Sequence, residues 1–306
     1  MTSTFLNQLF DKRPTPISDS SRKLYISNLK KLNGGEEPTS FKFLKSMENV
    51  LKLIEDKKPT TQRTYFIAIC SVLANGNGPK KLYDKYYAVL TQMNKDLQNR
   101  TTKSDTQAKN WLKPGEIDQV YDQINKEVKR IRVSHITKKD FNTVLSLVVL
   151  SIFTKTPPRR NIDYTLMKIS SNMSDSKFNY LDIDKKTFVF NNYKTQKKYN
   201  QVVIDIPDDL WIIIVKYLRF HPERNKIKNK KYEIFFLVNH NGDNLANSND
   251  ITKILNNAFG QKIGSSLLRN MYLTHKFGDT MEELKDDTAA MGTSIGVAMN
   301  TYIKVE

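Results

Sequence analysis

The sequence predicts a mostly α-helical fold with a small antiparallel β-sheet, divided between two domains. Apolar residues recur at helical spacing through the first hundred residues and again beyond residue 111. Near Tyr180 the period changes to strand-like alternation, and a polar stretch without apolar periodicity separates the two helical regions. At 306 residues, the chain is long enough for two domains of ordinary size.

The first domain is predicted to be all-α and to cover residues 16–100. Residues 1–15 are mostly polar and contain Pro14, so we expect them to form a flexible arm. Ser18 offers N-cap chemistry at the start of the first helix, and Gly34 and Gly35 follow its end. The four helices are expected at about 18–32, 41–54, 60–73 and 80–97.

Residues 101–110 are predicted to be a linker, and residues 111–306 a second domain of mixed α+β structure. Pro114 indicates a helix start, because proline is favoured in the first helical turn. Helices are expected at about 115–133, 138–153, 208–219, 251–259 and 265–277, and strands at about 180–184, 187–190 and 201–207.

The composition indicates a folded protein with a polyanionic partner. Lysine and arginine number 49 against 32 acidic residues, which gives a net charge of +17. Hydrophobic residues at 39% and aromatic residues at 10% favour a packed core over a basic disordered tail. Because the basic excess is spread along both halves of the chain, we expect contacts with nucleic acid from both domains.

Several classes of protein are disfavoured by the sequence. A single cysteine, Cys70, excludes an intrachain disulfide and a cysteine-based zinc site, and the histidines lack ligand-like spacing, so no metal is expected. The longest apolar run, 144–153, is about half the roughly 20 residues that span a bilayer. We therefore expect an intracellular protein without a membrane partner.

A few residues carry candidate chemistry. Arg159 and Arg160 follow an apolar helix at an abrupt turn, Lys194 lies at a predicted hairpin tip, Arg269 lies on a later helix, and Tyr302 comes last. A tyrosyl oxygen can attack a phosphodiester when cations surround the non-bridging oxygens of the phosphate. The alternative interpretation is structural, with the arginine pair solvated beside a helix end and Tyr302 packing on the core.

In this order, the residues resemble the motifs of the tyrosine recombinase (phage integrase) family. That family has an Arg-x-x-Glu/Asp motif after an apolar helix, a lysine on a β-hairpin and a His-x-x-Arg motif on a late helix. A Gly-His/Trp pair follows, and the tyrosine comes nine residues after its His or Trp. The matching segments here are Arg160-Asn-Ile-Asp163, Tyr193-Lys194-Thr195, Ser266-Leu-Leu-Arg269, Gly292-Thr293 and Tyr302.

Two positions depart from the family pattern. Ser266 replaces the expected histidine and Thr293 replaces the expected His or Trp, so both are weaker catalytic candidates. His275 lies near the third motif, but we expect it to pack or cap a helix. The Arg-Arg-Asn sequence is similar to that of integrases from virophages, large DNA viruses and related mobile elements, which would place the protein with DNA in a host nucleus or a cytoplasmic viral factory.

The resemblance implies a site-specific DNA recombinase with a helical core-binding domain and a catalytic domain that clamp double-stranded DNA. Tyr302 would form a 3′-phosphotyrosyl bond and free a 5′-hydroxyl. Arg160 and Arg269 would hold the phosphate, and Lys194 would protonate the leaving oxygen. No cofactor is needed, because the covalent link retains the bond energy. Strand exchange implies a homotetramer on two duplexes.

Three alternatives remain open at this point. A non-catalytic DNA-binding relative would bind the same DNA without forming a covalent adduct. An enzyme similar to type IB topoisomerases would relax supercoils without a defined site or a second duplex. A basic RNA-binding protein would prefer RNA over duplex DNA at fixed salt.

Overall fold

The computed structural model describes residues 4–74, 77–98, 102–170, 173–228, 234–245 and 247–303. Helices make up 62% of the chain, and its strands form a small five-stranded mixed sheet. The prediction of a mostly α fold with a small sheet is therefore confirmed. The chain divides into two compact units, Met1–Lys103 and Ser104–Glu306, at a point inside the predicted linker.

The regular elements described in the first unit are all helices. All four predicted helices are present, but the second is split into a 3₁₀ turn at Phe41–Leu44 and an α-helix that Ser46 caps by accepting a hydrogen bond from the Asn49 amide. The α-helices of this unit are α1 (Phe5–Asp11), α2 (Asp19–Leu32), α3 (Met47–Ile54), α4 (Pro59–Leu73) and α5 (Lys80–Gln98).

Helix α1 corrects the prediction of a flexible arm over residues 1–15, of which residues 1–3 lie outside the described part. The Thr4 side chain caps the helix, and Leu6, Leu9 and Phe10 are buried in the core of the first unit. Two short turns give too few apolar positions for a clear helical period, and the nearby prolines indicated a loop. Burial of three large apolar side chains outweighs that local signal.

The second unit is built around α8, a helix that is buried along most of its length. It packs against α7, α11 and α13, which explains why its apolar residues are not confined to one stripe. The helices of this unit are α6 (Asp105–Lys109), α7 (Pro114–Val128), α8 (Lys138–Thr154), α9 (Ile162–Thr165), α10 (Gln196–Tyr199), α11 (Asp208–Phe220), α12 (Arg224–Lys228), α13 (Ser248–Phe259), α14 (Ser265–Ala290) and α15 (Ile295–Val297).

Helix α6 lies within the segment 101–110 that the sequence predicts to be a linker. Ser104 and Gln107 form a capping box at its start, and the buried Asn110 accepts a hydrogen bond from the Lys262 amide through its side chain. Residue 101 lies outside the described residues. The polar composition of this segment therefore reflects helix capping as well as a domain boundary.

The sheet is mixed, so the prediction of a purely antiparallel sheet is wrong. Strands β2, β3 and β4 form the expected antiparallel meander, but β1 runs parallel to β2 and antiparallel to β5. The two strands missing from the prediction are each two residues long, which is too short for an alternating pattern to show. In the order β4-β3-β2-β1-β5, the strands are β1 (Lys168–Ile169), β2 (Tyr180–Asp182), β3 (Thr187–Phe190), β4 (Val202–Asp205) and β5 (Ile234–Phe235).

Helix α14 is longer than the predicted 265–277. It continues through Gly278 to Ala290, because the glutamate, leucine, lysine and alanine residues that follow are strong helix formers and offset the cost of one glycine, about 1 kcal/mol. From Leu273 onward most side chains are exposed, and residues 273–303 are called the C-terminal segment below. No helix within the described ranges is both long enough and apolar enough to cross a membrane.

Candidate functional site

A pocket of about 320 Å³ in the second unit brings together residues that are far apart in the sequence. Three of them are arginines, two from the turn before α9 and one from the first turns of α14. We call this the arginine pocket, and it includes two of the predicted catalytic residues. Its lining residues are Pro158, Arg159, Arg160, Asp163, Tyr193, Thr195, Tyr199, Val202 and Arg269.

Arg159 is held rigidly at the edge of the pocket. Its Nε donates a hydrogen bond to Asp163 Oδ2 at 3.0 Å. Its guanidinium carbon lies 3.9 Å from the ring centroid of Phe190 and 4.9 Å from that of Tyr193. A planar guanidinium stacked on two aromatic faces and paired with a carboxylate has little freedom to move. Arg159 is therefore fixed before any ligand arrives.

Asp163 is the buried partner in this arrangement. Burial raises the pKa of its carboxyl group, and the attraction of Arg159 and Arg160 opposes that shift without cancelling it. Its Oδ1 is buried and accepts no hydrogen bond within the described part of the chain. Asp163 thus compensates the charge of Arg159, and the net charge of the pocket remains positive.

Buried asparagines fix the turn that carries the arginines. The Asn161 amide group donates to the Ser248 carbonyl at 2.9 Å and to Thr252 Oγ1 at 2.8 Å, which ties the turn to the start of α13. Asn179 donates to the Asp163 carbonyl at 2.7 Å, and its Oδ1 accepts from the backbone amide of Asn191 at 2.8 Å. The arginine turn and the end of β3 are therefore held in register.

Arg160 and Arg269 form the open, cationic part of the pocket. The pKa of Arg269 is lowered by its partial burial and by the charge of Arg160, while Asp163 acts in the opposite direction. Among the described residues, the Arg160 side chain donates no hydrogen bond. Two neighbouring guanidinium groups repel each other, and an anion between them relieves that repulsion. The geometry therefore favours an oxyanion such as phosphate.

Two other predicted residues, Ser266 and Lys194, are bonded to or next in sequence to residues that line the pocket. Ser266 Oγ accepts a hydrogen bond from Arg269 Nη2 at 3.1 Å, so Ser266 positions the arginine side chain. Lys194 is exposed, and it lies between Tyr193 and Thr195, which both line the pocket. The structure thus brings Arg160 and Arg269 together, with Ser266 bonded to Arg269, whereas Lys194 is not among the residues that line the pocket.

Thr293 and Tyr302 lie elsewhere and do not line the pocket in the part of the chain that the structure describes. Gly292 has a φ of +66° and ends α14, with the Thr293 amide donating to the Thr288 carbonyl at 2.9 Å. This pattern is a Schellman motif, which requires glycine at the left-handed position. Tyr302 closes a π-helical turn, Ala298–Tyr302, and its side chain is 60% exposed.

The pocket also contains side chains outside the predicted catalytic set, among them Arg159, Tyr193 and Tyr199. Arg159 and Asp163 are four residues apart, a spacing that allows an ion pair, so the sequence does indicate this contact. The contacts of Arg159 with Phe190 and Tyr193 depend on the packing of β3 against the arginine turn. No local pattern predicts that packing.

The histidines give no sign of a metal site. Trp111 Nε1 donates to His275 Nε2 at 3.3 Å, and the two rings meet edge to face, so His275 packs as expected. Within the described ranges, no three His, Cys, Asp or Glu side chains cluster as metal ligands.

No protein-family model, curated protein or solved structure matches the chain. The resemblance to tyrosine recombinases therefore rests on the motifs themselves and remains a prediction.

Proposed function

We propose that the protein is a DNA strand transferase of the tyrosine recombinase type, which cleaves and rejoins DNA through a 3′-phosphotyrosyl intermediate. The observation that carries this proposal is the convergence of Arg160 and Arg269 in one pocket, beside the anchored pair of Arg159 and Asp163. The motif order selects these two arginines from the 49 basic residues, and the fold brings them together.

The pocket suits an oxyanion that accepts several hydrogen bonds at once, such as a phosphodiester. Two guanidinium groups can each donate two parallel hydrogen bonds to the non-bridging oxygens of a phosphate. The charge of +17 supplies long-range attraction to a nucleic acid backbone, and so contributes affinity that does not depend on base sequence. The substrate class that fits both features is a nucleic acid bound mainly through its phosphates, and the order of the motifs selects DNA.

In the proposed reaction, Arg160 and Arg269 hold the scissile phosphate and stabilise the charge that develops on its non-bridging oxygens. Tyr302 Oη gives its proton to solvent water and attacks phosphorus, and the bond from phosphorus to the 5′-oxygen breaks. Lys194, on the connection between β3 and β4, donates a proton to that 5′-oxygen. Attack by a 5′-hydroxyl from a second duplex reverses the step and exchanges the strands.

The proposal requires Tyr302 to reach the pocket when DNA is bound. Tyr302 is exposed and lies on the C-terminal segment, whose buried side chains are those of Thr288 and Ala298. Few contacts with buried residues therefore oppose a rearrangement of this segment. Because four protomers act together in the proposed assembly, the tyrosine that fills a given pocket comes from the same chain or from a neighbouring one.

The position of Tyr302 also favours a second candidate function. A non-catalytic DNA-binding protein would use the arginine pocket to hold a backbone phosphate and would need no nucleophile there. Ser266 and Thr293, where the family has imidazole or indole groups, are compatible with this alternative.

The two functions are separated by trapping a covalent adduct. A pool of random-sequence duplexes with a nick close to each candidate cleavage position is mixed with the protein, because loss of the short cleaved fragment prevents religation. Adducts that resist SDS are isolated and their DNA is sequenced. We expect wild type to form adducts on a restricted set of sites, and Tyr302→Phe to bind DNA without forming any.

Tyr87→Phe is the matched control, because Tyr87 is also half exposed and lies in the other unit. It should form adducts as wild type does. Adducts in Tyr302→Phe at the wild-type level would refute the assignment of the nucleophile. Binding to DNA with no adduct in wild type, over the whole pool, would favour the non-catalytic function.

A further inference from the structure

Tyr199 lies in the arginine pocket, and the Lys198 ammonium lies over one face of its ring. It lines the same cavity as Arg160 and Arg269, and its side chain is 56% exposed. Within the described residues, its hydroxyl makes no hydrogen bond. Tyr193 also lines the cavity, but its ring is mostly buried and its hydroxyl donates to the Asn200 carbonyl at 2.8 Å. Tyr199 is thus the pocket tyrosine that a ligand can contact.

The chain around Tyr199 is held in a strained conformation. Asn200 has a φ of +54° and a ψ of −149°, a region that residues other than glycine rarely adopt and that costs about 1–3 kcal/mol. Two hydrogen bonds maintain it, one from Tyr193 Oη to the Asn200 carbonyl and one from the Asn200 amide to the Gln196 carbonyl at 2.7 Å. Strain maintained next to an exposed ring indicates that the position of the ring matters.

The charges near the ring suit a nucleotide. The Lys198 ammonium lies 5.0 Å from the ring centroid of Tyr199, and Lys194 and Lys197 are exposed on the same connection between β3 and β4. An aromatic face beside cations and a phosphate site is the combination that single-stranded nucleic acid binds, with the base on the ring and the backbone on the cations.

We propose that Tyr199 stacks on the nucleobase adjacent to the phosphate held by Arg160 and Arg269. This inference rests on the proposed function and deepens it by naming the form of the substrate. A paired base inside a duplex presents only its edges, because its faces are covered by neighbouring bases. The site therefore prefers DNA in which a base next to the bound phosphate is unpaired and unstacked.

The test measures binding by fluorescence anisotropy to three labelled 20-base-pair duplexes. One duplex is fully paired, one carries a single unpaired base at its centre, and one carries an abasic position in place of that base. We expect wild type to bind the unpaired duplex more tightly than the other two. Tyr199→Ala should reduce affinity for the unpaired duplex by about 5- to 150-fold, the range found for a base-stacking ring, and should leave the abasic duplex unaffected.

Matched variants separate stacking from other roles. Tyr199→Phe keeps the ring and should retain the preference, so loss of the preference in that variant would assign the effect to the hydroxyl and overturn the proposal. Lys198→Ala should weaken binding to all three duplexes equally and lower the salt dependence. An unchanged preference in Tyr199→Ala would also overturn it.

Arg269→Ala shows whether a negative result for Tyr199→Ala overturns only the stacking role or the proposed phosphate site as well. If Arg269→Ala weakens binding to every duplex while Tyr199→Ala changes nothing, the phosphate site stands and the stacking role is wrong. If Arg269→Ala binds all three duplexes as wild type does, the arginine pocket does not hold a DNA phosphate, and both proposals fail.

Discussion

The arginine pocket and the C-terminal segment differ in how firmly the fold holds them. In the pocket, Arg159 is stacked on two rings and paired with Asp163, and Asn179 links the surrounding turns. The C-terminal segment carries Tyr302 on a short turn with mostly exposed side chains. The turn that carries the proposed phosphate site is thus anchored, whereas the proposed nucleophile is carried by a weakly packed element.

This difference has a functional consequence under the proposed chemistry. A preorganised cation site costs no reorganisation when charge develops in the transition state. A nucleophile held away from that site cannot attack until DNA and the C-terminal segment are both in place. Cleavage would then depend on assembly, and an isolated protomer would bind DNA without cutting it.

The largest effect is expected when the pocket loses an arginine. Arg269→Ala removes a donor to the non-bridging oxygens and should slow formation of the covalent adduct by about 100- to 1,000-fold. Binding to DNA should also weaken measurably, but by a smaller factor, because the other basic residues still contact the backbone. Adduct formation over time on nicked duplexes measures the rate. Arg219→Ala, an exposed arginine on α11, is the matched control and should react as wild type does.

Removing the buried carboxylate should destabilise the second unit. Asp163→Asn leaves the charge of Arg159 without its partner. Because the Asp163 side chain is only 2% exposed, the loss of this ion pair should lower the free energy of unfolding by about 3 kcal/mol. Urea denaturation followed by circular dichroism measures this change. Arg159→Met combined with Asp163→Asn should cost less than the sum of the single variants, and strict additivity would show that the two side chains are not coupled.

Acid should destabilise the second unit through His221, which is fully buried. Burial lowers the pKa of His221 from 6.5 to about 4. Between those values the unfolded chain binds a proton that the folded chain does not, so stability from this group is complete above pH 6.5 and is lost as the pH falls toward 4. Each unit of pKa difference is worth about 1.4 kcal/mol.

Urea denaturation at several pH values between 7 and 4 tests this expectation. His221→Gln cannot titrate, so its stability should change less over that range than that of wild type, whatever its stability at pH 7. Equal slopes for the two proteins would show that other groups cause the acid sensitivity.

A smaller and local effect is expected at the end of α14. Gly292→Ala places a side chain at φ +66°, where nothing lies within 4 Å of the added carbon, so the cost is conformational and about 1 kcal/mol. Hydrogen exchange should become faster within residues 284–303, while the urea midpoint of the whole chain stays unchanged. Gly115→Ala, which adds a carbon in open space at ordinary φ, is the control. A lower midpoint in Gly292→Ala would mean that the segment is part of the cooperative core.

Much of the fold could be predicted from local sequence patterns. Apolar residues at helical spacing indicate α2, α5 and α11, and the apolar-rich stretches of α4 and α8 are long enough to form helices. The β2–β3–β4 meander shows as alternation and β-branched residues. The two-residue strands β1 and β5 are defined by pairing with distant segments, so no local pattern indicates them. Helix α1 gave too few turns to outweigh the signal of the nearby prolines.

The candidate site was predictable only in part, for a similar reason. The order of the motifs indicated Arg160, Arg269 and Lys194, because the resemblance to the family is carried by motifs that follow one another along the chain. The anchoring of Arg159 by Phe190 and Tyr193, and the presence of Tyr199 in the pocket, depend on how the β3–β4 connection packs over the arginine turn. These contacts join segments that are distant in the sequence, and only the tertiary fold brings them together.

The most direct test of the central claim is to identify the tyrosine that becomes linked to DNA. Adducts from nicked duplexes are digested with protease and nuclease, and mass spectrometry locates the phosphotyrosyl peptide. We predict a nucleotide attached to Tyr302, and its loss in Arg269→Ala at equal reaction times. Attachment at Tyr199, or at any other tyrosine, would contradict the account, because the nucleophile would then not be carried by the C-terminal segment.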